Sequence, residues 1–435
     1  MKIVKSVALV SLALATFSSH TFAHYVNKEQ LIKDVTFLAS DELKGRASFT
    51  EEIDKAADYI SARFDQIGLQ PLGESQSFKQ TFNVHQISVA QSRVALDGVA
   101  IDESNIAVAM TSKNLAWNNL NQVTTHFVNA EQDVRAKLRS LNHQGGDHLV
   151  LLSSKQARMF KAYKRYFDKG LNKLALKNQG AIVLVLTDKE NITNIDISVD
   201  ATIKTQELTN VVAVLPGESK EQVLFSAHYD HIGTAASGDD IVYNGADDDA
   251  SGTSAIINLA AYFASQKKPK RTLVFSAFTA EEIGGYGSKY FSQQLDPDNV
   301  VAMVNIEMIG KPSKFGSGHV WMTGMERSNL GELMNSLLPE NGKIKADPYP
   351  KQNLFYRSDN ATLARLGVPA HSFSSTQLDK DKHYHKVSDD IESLDLNSMH
   401  SVVESIAVAS QGLVDGIHTP TRVDTSKVKQ NGKIY

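Results

Sequence analysis

Hydrophobic and polar positions follow two rhythms along this chain. Near the N-terminus, apolar residues recur at helical spacing around residues 31–38 and 56–64, and Gly68 then marks an end. From about residue 206, short apolar runs typical of buried strands alternate with helical patterns. The strand-like runs are 211–215, 223–226, 272–276, 300–304, 319–323 and 370–373, and the helical ones are 251–266 and 399–417. This alternation predicts an α/β fold, a mixed central sheet with helices on both faces.

The middle of the chain has its own pattern. Apolar runs at residues 148–152 and 181–186 are typical of buried strands, and between them Met159, Phe160 and Phe167 mark one face of a helix that Gly180 closes. This unit predicts a small inserted α/β accessory domain. We therefore divide the chain into a leader (1–23), an N-terminal helical part of the main domain (24–85), the inserted domain (86–205), the main domain proper (206–418) and a C-terminal tail (419–435).

The leader has the pattern of a cleaved secretory signal. Lys2 and Lys5 precede an apolar stretch from Val7 to Phe17, and Ala23 ends the segment with a small residue. The stretch is shorter than the roughly 20 apolar residues that a membrane span needs, and no later segment reaches that length. We therefore expect an exported protein without stable membrane insertion, periplasmic in a Gram-negative bacterium and secreted otherwise.

The amino-acid composition limits the kinds of functional site that this chain can have. The 435 residues include 45 Lys and Arg, 49 Asp and Glu, and no Cys, which gives a net charge of −4. Disulfides, iron–sulfur clusters and cysteine nucleophiles are therefore excluded, so His and carboxylates must hold any metal. The negative charge argues against a nucleic-acid binder, which relies on a positive field.

Five polar clusters follow strand-like runs or open a helix. In chain order they are His228–His231, Asn244–Gly252, Glu281–Gly284, Glu307–Gly310 and His383–His385, the last followed by Asp389. Taken alone, three consecutive Asp could cap a helix, and paired Glu could be a solvated turn. Ligands of open α/β sheets bind at the carboxyl ends of the strands, so their joint occurrence there favours a site. Two His with several carboxylates suit zinc or a similar divalent metal.

These motifs, in this order over residues 206–416, resemble the dizinc aminopeptidase family, which includes bacterial leucyl aminopeptidase and glutamate carboxypeptidase II. Residues 38–46 and 56–60 are similar to its N-terminal helical portion. The inserted domain is similar to a protease-associated domain, chiefly through residues 180–186.

The resemblance implies a role for each motif residue. His228 and Glu307 would bind one zinc, and Glu282 and His385 a second. Asp248 would bridge both ions and would precede a cis peptide bond. Asp230 would hold the far ring nitrogen of His228, which fixes the orientation of that ligand.

Glu281 would be the general base. A carboxylate beside two metals that share a water, but not itself a ligand, can take the proton of that water and pass it to the leaving amine. Tyr384 could donate to the developing oxyanion, or it could be a packed aromatic residue. Two positions depart from the family: Glu307 stands where many relatives have Asp, and Asn360 follows Ser358-Asp359 where they often have His.

The sequence therefore predicts an exported aminopeptidase with two zinc ions per chain, acting on peptides. Three alternatives stay open: a single-zinc glutaminyl cyclase, a carboxypeptidase similar to glutamate carboxypeptidase II, and an inactive peptidase-like binding protein. The complete triple-Asp loop favours two metals over one, and the intact Glu281 argues against an inactive site.

Overall fold

The computed structural model describes residues 25–339 and 344–435, and the predicted leader lies outside these ranges. The helices are α1 (Lys28–Leu38), α2 (Glu51–Ile67), α3 (Val134–Gln144), α4 (Ala157–Phe167), α5 (Gly252–Ala264), α6 (Tyr286–Ser292), α7 (Leu330–Asn335), α8 (Asn360–Ala364) and α9 (Leu396–Val414). Across the two described ranges, no helix combines the length and the apolar character needed to cross a membrane.

The strands follow the predicted runs and add several more. They are β1 (Gln70–Pro71), β2 (Lys79–Leu96), β3 (Val99–Ala100), β4 (Ile106–Met110), β5 (Asn114–Trp117), β6 (Thr124–Val128), β7 (Gly146–Leu152), β8 (Leu171–Lys173), β9 (Gly180–Leu186), β10 (Ile195–Leu215), β11 (Ser219–His228), β12 (Arg271–Phe278), β13 (Val300–Ile306), β14 (Trp321–Met322), β15 (Lys345–Ala346) and β16 (Ala370–Ser374).

A mixed sheet forms the centre of the main domain. Strands β12, β11, β13 and β16 are adjacent and parallel, whereas β10 and β14 flank them in the antiparallel direction. Parallel neighbours need a crossover, which α5 supplies between β11 and β12. The predicted α/β class with a mixed central sheet is confirmed, and the carboxyl ends of four parallel strands meet at one edge.

Helices cover both faces of this sheet because its strands are apolar on both sides. On one face α1, α2, α5 and α9 pack against a cluster that includes Phe225 and Phe275. On the other face Phe291 of α6 and Leu363 of α8 pack with Leu224. Neighbouring positions of β11 thus point to opposite layers, as the two-residue period of a strand requires.

Two long strands carry the chain into a second unit and back. β2 and β10 pair antiparallel from Lys79 opposite Val211 to Leu96 opposite Ile195. Beyond them lies a smaller sheet in the order β4-β9-β7-β6, with α3 and α4 packed on one face. Glycine at 180 begins β9 rather than ending a helix.

The structure confirms one element boundary and corrects another. α2 ends at Ile67 with Gly68 as its C-cap, as predicted, and β2 then begins at Lys79 within the 24–85 part. The closing helix ends at Val414, and Ile417 lies outside it with 74% of its surface exposed. Gly416 adopts a φ of 71°, and the Gly412 carbonyl accepts from two later N–H groups, which turns the chain away from the helix axis.

Phe225 tests the placement of the core. It is fully buried and stacks on Phe275 with ring centroids 5.4 Å apart. We expect Phe225→Ala to lower the free energy of unfolding by about 3–5 kcal/mol because it leaves a cavity. Val408→Ala, at a position 44% exposed on α9, should cost less than about 0.5 kcal/mol. Urea unfolding followed by circular dichroism measures both, and equal losses would contradict this packing.

Candidate metal centre

Loops at one edge of the central sheet carry the predicted site residues. His228 is the last residue of β11, Glu307 follows β13 directly, and Glu281 and Glu282 come shortly after β12. A short helical turn, Ala246–Ser251, presents Asp248 just before α5. The loop after β16 brings His385 to the same place. The structure therefore gathers residues that are far apart in the sequence, because parallel strands end at a common edge.

Asp248 lies between two histidines. Its Oδ1 is 3.2 Å from His228 Nε2, and its Oδ2 is 3.1 Å from His385 Nε2. Glu307 Oε1 is 3.4 Å from His228 Nε2, and Glu282 Oε1 is 3.3 Å from His385 Nε2. All five predicted ligands thus converge as two groups that share the Asp248 carboxylate. The first group contains His228 and Glu307, the second contains Glu282 and His385, and together they are called the metal groups. The peptide bond between Asp248 and Asp249 is cis, as the resemblance implies.

A further histidine joins the second group. His231 Nδ1 is 2.8 Å from Glu282 Oε1, and the side chain is fully buried. Together His231, Asp248 and Glu282 could hold a metal ion. His231 belongs to the first polar cluster of the sequence, but the family resemblance implies no role for it. Its signal was the spacing, because His228 and His231 both follow the end of one buried strand.

The chemistry of the second group fits a cation. Both ring nitrogens of His231, Oε1 of Glu282 and Nε2 of His385 are buried, and within the described ranges none makes a hydrogen bond of acceptable geometry. Buried polar atoms normally have partners. Imidazole nitrogens and carboxylate oxygens converging on one point without hydrogen bonds are the donor set that zinc takes.

The carboxylates of the outer two Asp accept from backbone N–H groups and a hydroxyl, among them the His228 N–H, which is 3.3 Å from Asp249 Oδ2. Asp247 accepts from the Gly310 N–H at 2.7 Å and from Thr376 Oγ1 at 2.6 Å. Asp249 accepts from the N–H groups of Gly252 and Met308 at 3.0 and 3.1 Å. Helix capping is therefore part of what Asp249 does, and the middle residue is left for the metal groups.

Lys311 balances the acidic loops. Its Nζ lies 3.1 Å from Asp381, 3.1 Å from Asp389 and 3.4 Å from Asp247. Burial opposes the charged amine, but these three carboxylates raise the pKa of Lys311 above its ordinary value. Asp389 in turn accepts from the N–H groups of Asp247 and Asp248 at 3.2 Å. One cation thus joins the loop of Asp248 to the loop that carries His385.

Asp230 contacts more than the histidine it was expected to hold. His228 Nδ1 is 3.1 Å from the Asp230 carbonyl oxygen and 3.6 Å from its carboxylate. The carboxylate accepts instead from the N–H groups of Glu281 and Glu282 at 3.0 and 3.3 Å. The nearest acceptor for the imidazole is therefore a carbonyl, and the Asp230 side chain fixes the turn that separates the two Glu.

Within the described ranges Glu281, unlike Glu282 and Glu307, forms no ion pair with a histidine. Burial, reinforced by the carboxylates of Glu307 and Asp359, raises the pKa of Glu281 well above its ordinary value against the opposing effect of His228. Its neighbour Glu282 meets two histidines. The pair therefore occupies two different environments, as separate tasks would require.

Tyr384 is both packed and polar at its tip. Its ring stacks on His385 with centroids 4.0 Å apart, and its hydroxyl oxygen accepts from Arg357 Nη2 at 3.0 Å. Because that oxygen accepts from Arg357, the hydroxyl hydrogen is free to donate elsewhere. Arg357 carried no motif signal in the sequence.

The two departures from the family have a structural account. Glu307 Oε2 accepts from Ser358 Oγ at 2.6 Å, while Oε1 faces His228, so the longer side chain still reaches the first group. Asn360 is fully buried, donating to the Phe355 carbonyl at 3.1 Å and accepting from Ser372 Oγ at 2.8 Å. Its contacts are with the backbone and core of the main domain.

Comparisons with known proteins agree with this geometry. The sequence profile described as peptidase family M28 matches residues 210–410. Leucine aminopeptidase 1 of Ajellomyces capsulatus (strain NAm1 / WU24) is 27% identical over 201 residues, which cover 44% of this chain and 52% of that protein. The vacuolar membrane protease of Schizosaccharomyces pombe is 30% identical over 164 residues, 36% of this chain and 18% of that protein. The chain thus spans about half or less of these relatives.

Solved structures support the fold. An aminopeptidase from Aneurinibacillus sp. strain AM-1 superposes with a TM-score of 0.52 at 17% identity, covering 93% of this chain and 97% of that chain. A zinc aminopeptidase from Bacillus subtilis gives a TM-score of 0.56 at 15% identity, with 94% and 99% covered. The chain therefore contains a domain of peptidase family M28, and the resemblance drawn from the motifs is confirmed.

Lys311 tests the electrostatics of the site. Its side chain is only 12% exposed and faces three carboxylates, so Lys311→Met leaves buried charges without compensation. We expect a loss of about 3–5 kcal/mol in the free energy of unfolding, measured by urea titration. Lys267→Met removes an exposed ion pair with Asp415 and should cost about 0–1 kcal/mol. If Lys311→Met left the free energy of unfolding unchanged, other groups would have to compensate the three carboxylates.

Proposed function

We propose that this chain is an exported, zinc-dependent aminopeptidase that hydrolyses N-terminal residues from peptides. The observation that carries the proposal is the Asp248 carboxylate, whose two oxygens face two separate histidine–glutamate groups. The leucine aminopeptidase and zinc aminopeptidase names of similar proteins agree with it. The apolar pattern of residues 1–23 supports export.

The residues would hold two zinc ions. His228 and Glu307 would bind the first, Glu282 and His385 the second, and Asp248 both. His231, whose Nδ1 is 2.8 Å from Glu282 Oε1, would be a further ligand of the second ion. Bound zinc would supply Lewis-acid activation of water and of the scissile carbonyl, together with positive charge to match the acidic groups. This shared carboxylate favours two ions over the single zinc of a cyclase.

Glu281 would move the proton. Partly buried beside the site and paired with neither histidine, it would accept a proton from the attacking water and return it to the amine that leaves. Tyr384 would donate its free hydroxyl hydrogen to the oxyanion that develops on the scissile carbonyl. Arg357 would fix the phenol through its 3.0 Å hydrogen bond and add positive charge nearby.

A cavity beside the first group supports recognition of an apolar N-terminal residue. It has a volume of about 230 Å³ and reaches Glu307 and Tyr384. Its walls include Met308, Trp321 and Leu354, which offer apolar surface to a side chain.

A panel of aminoacyl-p-nitroanilides, assayed before and after chelation, tests the activity. Chelator-sensitive release is expected to favour apolar residues, and no release with any member would refute the proposal.

Glu281→Gln separates catalysis from metal binding. We expect turnover to fall by about 10²–10⁴-fold or more, with the zinc content unchanged, because the proposed base is not a ligand. Elemental analysis and the p-nitroanilide assay provide the two readouts. Glu326→Gln, at an exposed glutamate, should change neither. Full activity of Glu281→Gln would remove this residue from the mechanism, and lost zinc would make it a ligand.

His385→Ala tests the second metal group. Removing the imidazole that faces both Asp248 and Glu282 should cost at least one zinc per chain, measured by elemental analysis after dialysis. His143→Ala, on the exposed side of α3, is the matched control and should keep the native metal content. An unchanged metal count in His385→Ala would show that His231 and the carboxylates suffice to hold that ion.

A further inference from the structure

A cleft leads away from the metal groups on the side of Glu281. It has a volume of about 400 Å³, and its lining includes Glu281, His385, Lys289 and Arg365. A second cavity of about 440 Å³ shares Lys289 and Arg365 with it, as well as Thr362 and Asn431. The two spaces therefore adjoin at these four residues and are here taken together as one path. Its far part, the second cavity, is called the outer cavity.

Four parts of the chain build the outer cavity. Lys173 comes from β8, Lys289 from α6, Arg365 from the end of α8, and residues 430–432 with Tyr435 from the C-terminal segment. This segment is held on both sides. Arg365 Nε donates to the Lys429 carbonyl at 2.9 Å, and Lys173 Nζ donates to the Lys433 carbonyl at 3.0 Å.

Asn142 of α3 fastens the end of the same segment. Its Oδ1 accepts from the N–H groups of Ile434 and Tyr435 at 2.8 and 2.9 Å, and Ile434 is buried in the core of the inserted unit. A Cβ at Gly432 would overlap the Asn142 side chain, so the segment fits closely. The outer cavity therefore has a fixed wall, and the path from the metal groups ends against it.

The side chains that line the outer cavity are either cationic or neutral. Lys173, Lys289 and Arg365 line it, and no carboxylate side chain of the described ranges does so. Within these ranges, none of the three cations has a carboxylate within ion-pair distance. Burial, with the like charge of Lys289, lowers the pKa of Lys173 to about 8, and burial also lowers the pKa of Lys289. An anionic ligand would compensate these charges.

The position of Glu281 indicates which part of the substrate would lie along the path. In the proposed function this carboxylate returns a proton to the leaving amine, so the leaving part of the substrate lies on its side of the metal groups. The acidic residues of the path, Glu281, Glu282 and Asp359, are at the metal end, and its unpaired cations continue into the outer cavity.

Resting on the proposed function, we infer that Lys173, Lys289 and Arg365 form a subsite for a carboxylate on the leaving part of the substrate. The substrate class is short peptides that carry this carboxylate close behind the scissile bond. Its source is either the free C-terminus of the peptide or an acidic side chain, since both offer the same oxygens to the cations.

Matched substrate pairs test the subsite. One pair is a tripeptide Leu-Gly-Gly with a free carboxylate and its C-terminal amide; the other is Leu-Glu-amide and Leu-Gln-amide. We expect the charged member of at least one pair to have a kcat/KM about tenfold higher, mainly through KM. Preference for the free acid identifies the chain terminus as the source, and preference for Leu-Glu-amide identifies the side chain.

Variants of the two lysines test whether these cations cause the preference for the charged substrate. Lys289→Gln and Lys173→Gln should each bring the charged-to-neutral ratio towards one, whereas Lys161→Gln, exposed on α4 and outside both cavities, should keep it. Lys289 also donates to the Gly284 carbonyl at 2.6 Å. A purely structural role there would slow both members of a pair equally and leave the ratio unchanged, which would overturn the inference.

The remaining outcomes separate the two proposals. Equal kcat/KM values for both pairs in the unaltered protein would refute the subsite and leave the aminopeptidase standing. No hydrolysis of any of the four substrates would refute the aminopeptidase and the subsite with it.

Discussion

Burial of the Asp248 carboxylate between two histidines is the constraint around which this structure is arranged. Asp247, Asp248 and Asp249 are consecutive and all buried, and burying carboxylates is costly unless each one is compensated. The flanking two are satisfied by backbone N–H groups and a threonine, so only Asp248 faces the histidines. The loops after β13 and β16 supply three of those donors, Met308, Gly310 and Thr376, and they also carry Glu307 and His385. The same contacts therefore stabilise the fold and define the site.

Two buried cations complete this balance from outside the metal groups. Lys311 connects Asp247 to Asp381 and Asp389. Arg46 is fully buried and donates to the carbonyls of Leu38, Tyr229, Asn244 and Gly245. Through Arg46, the end of α1 is joined to the loops that follow β11 and precede α5. The N-terminal helices are in this way part of the structure that positions the site, although they contribute no proposed ligand.

The second unit and the C-terminal segment extend the site away from the metal groups. The main domain alone supplies the clustered His and carboxylates, whereas the outer cavity needs Lys173 from β8 and the segment that Asn142 holds. In the proposed function, chemistry and the shape of the substrate path would thus belong to different parts of the chain. Such a division allows a peptidase domain to keep its reaction while neighbouring segments set which peptides fit.

The sequence by itself determined the fold class and five of the candidate ligands that the structure brings together, His228, Asp248, Glu282, Glu307 and His385. Short apolar runs such as 223–226 and 272–276 indicate buried strands, and His228 or Glu307 shortly after a run is placed at a sheet edge by strand direction alone. Tertiary structure decided which groups meet. His231 against Glu282, Lys311 among three carboxylates, Arg357 on Tyr384, and Lys173 beside Lys289 left no local pattern. Periodicity reports which side of an element is buried, but not which distant element lies against it.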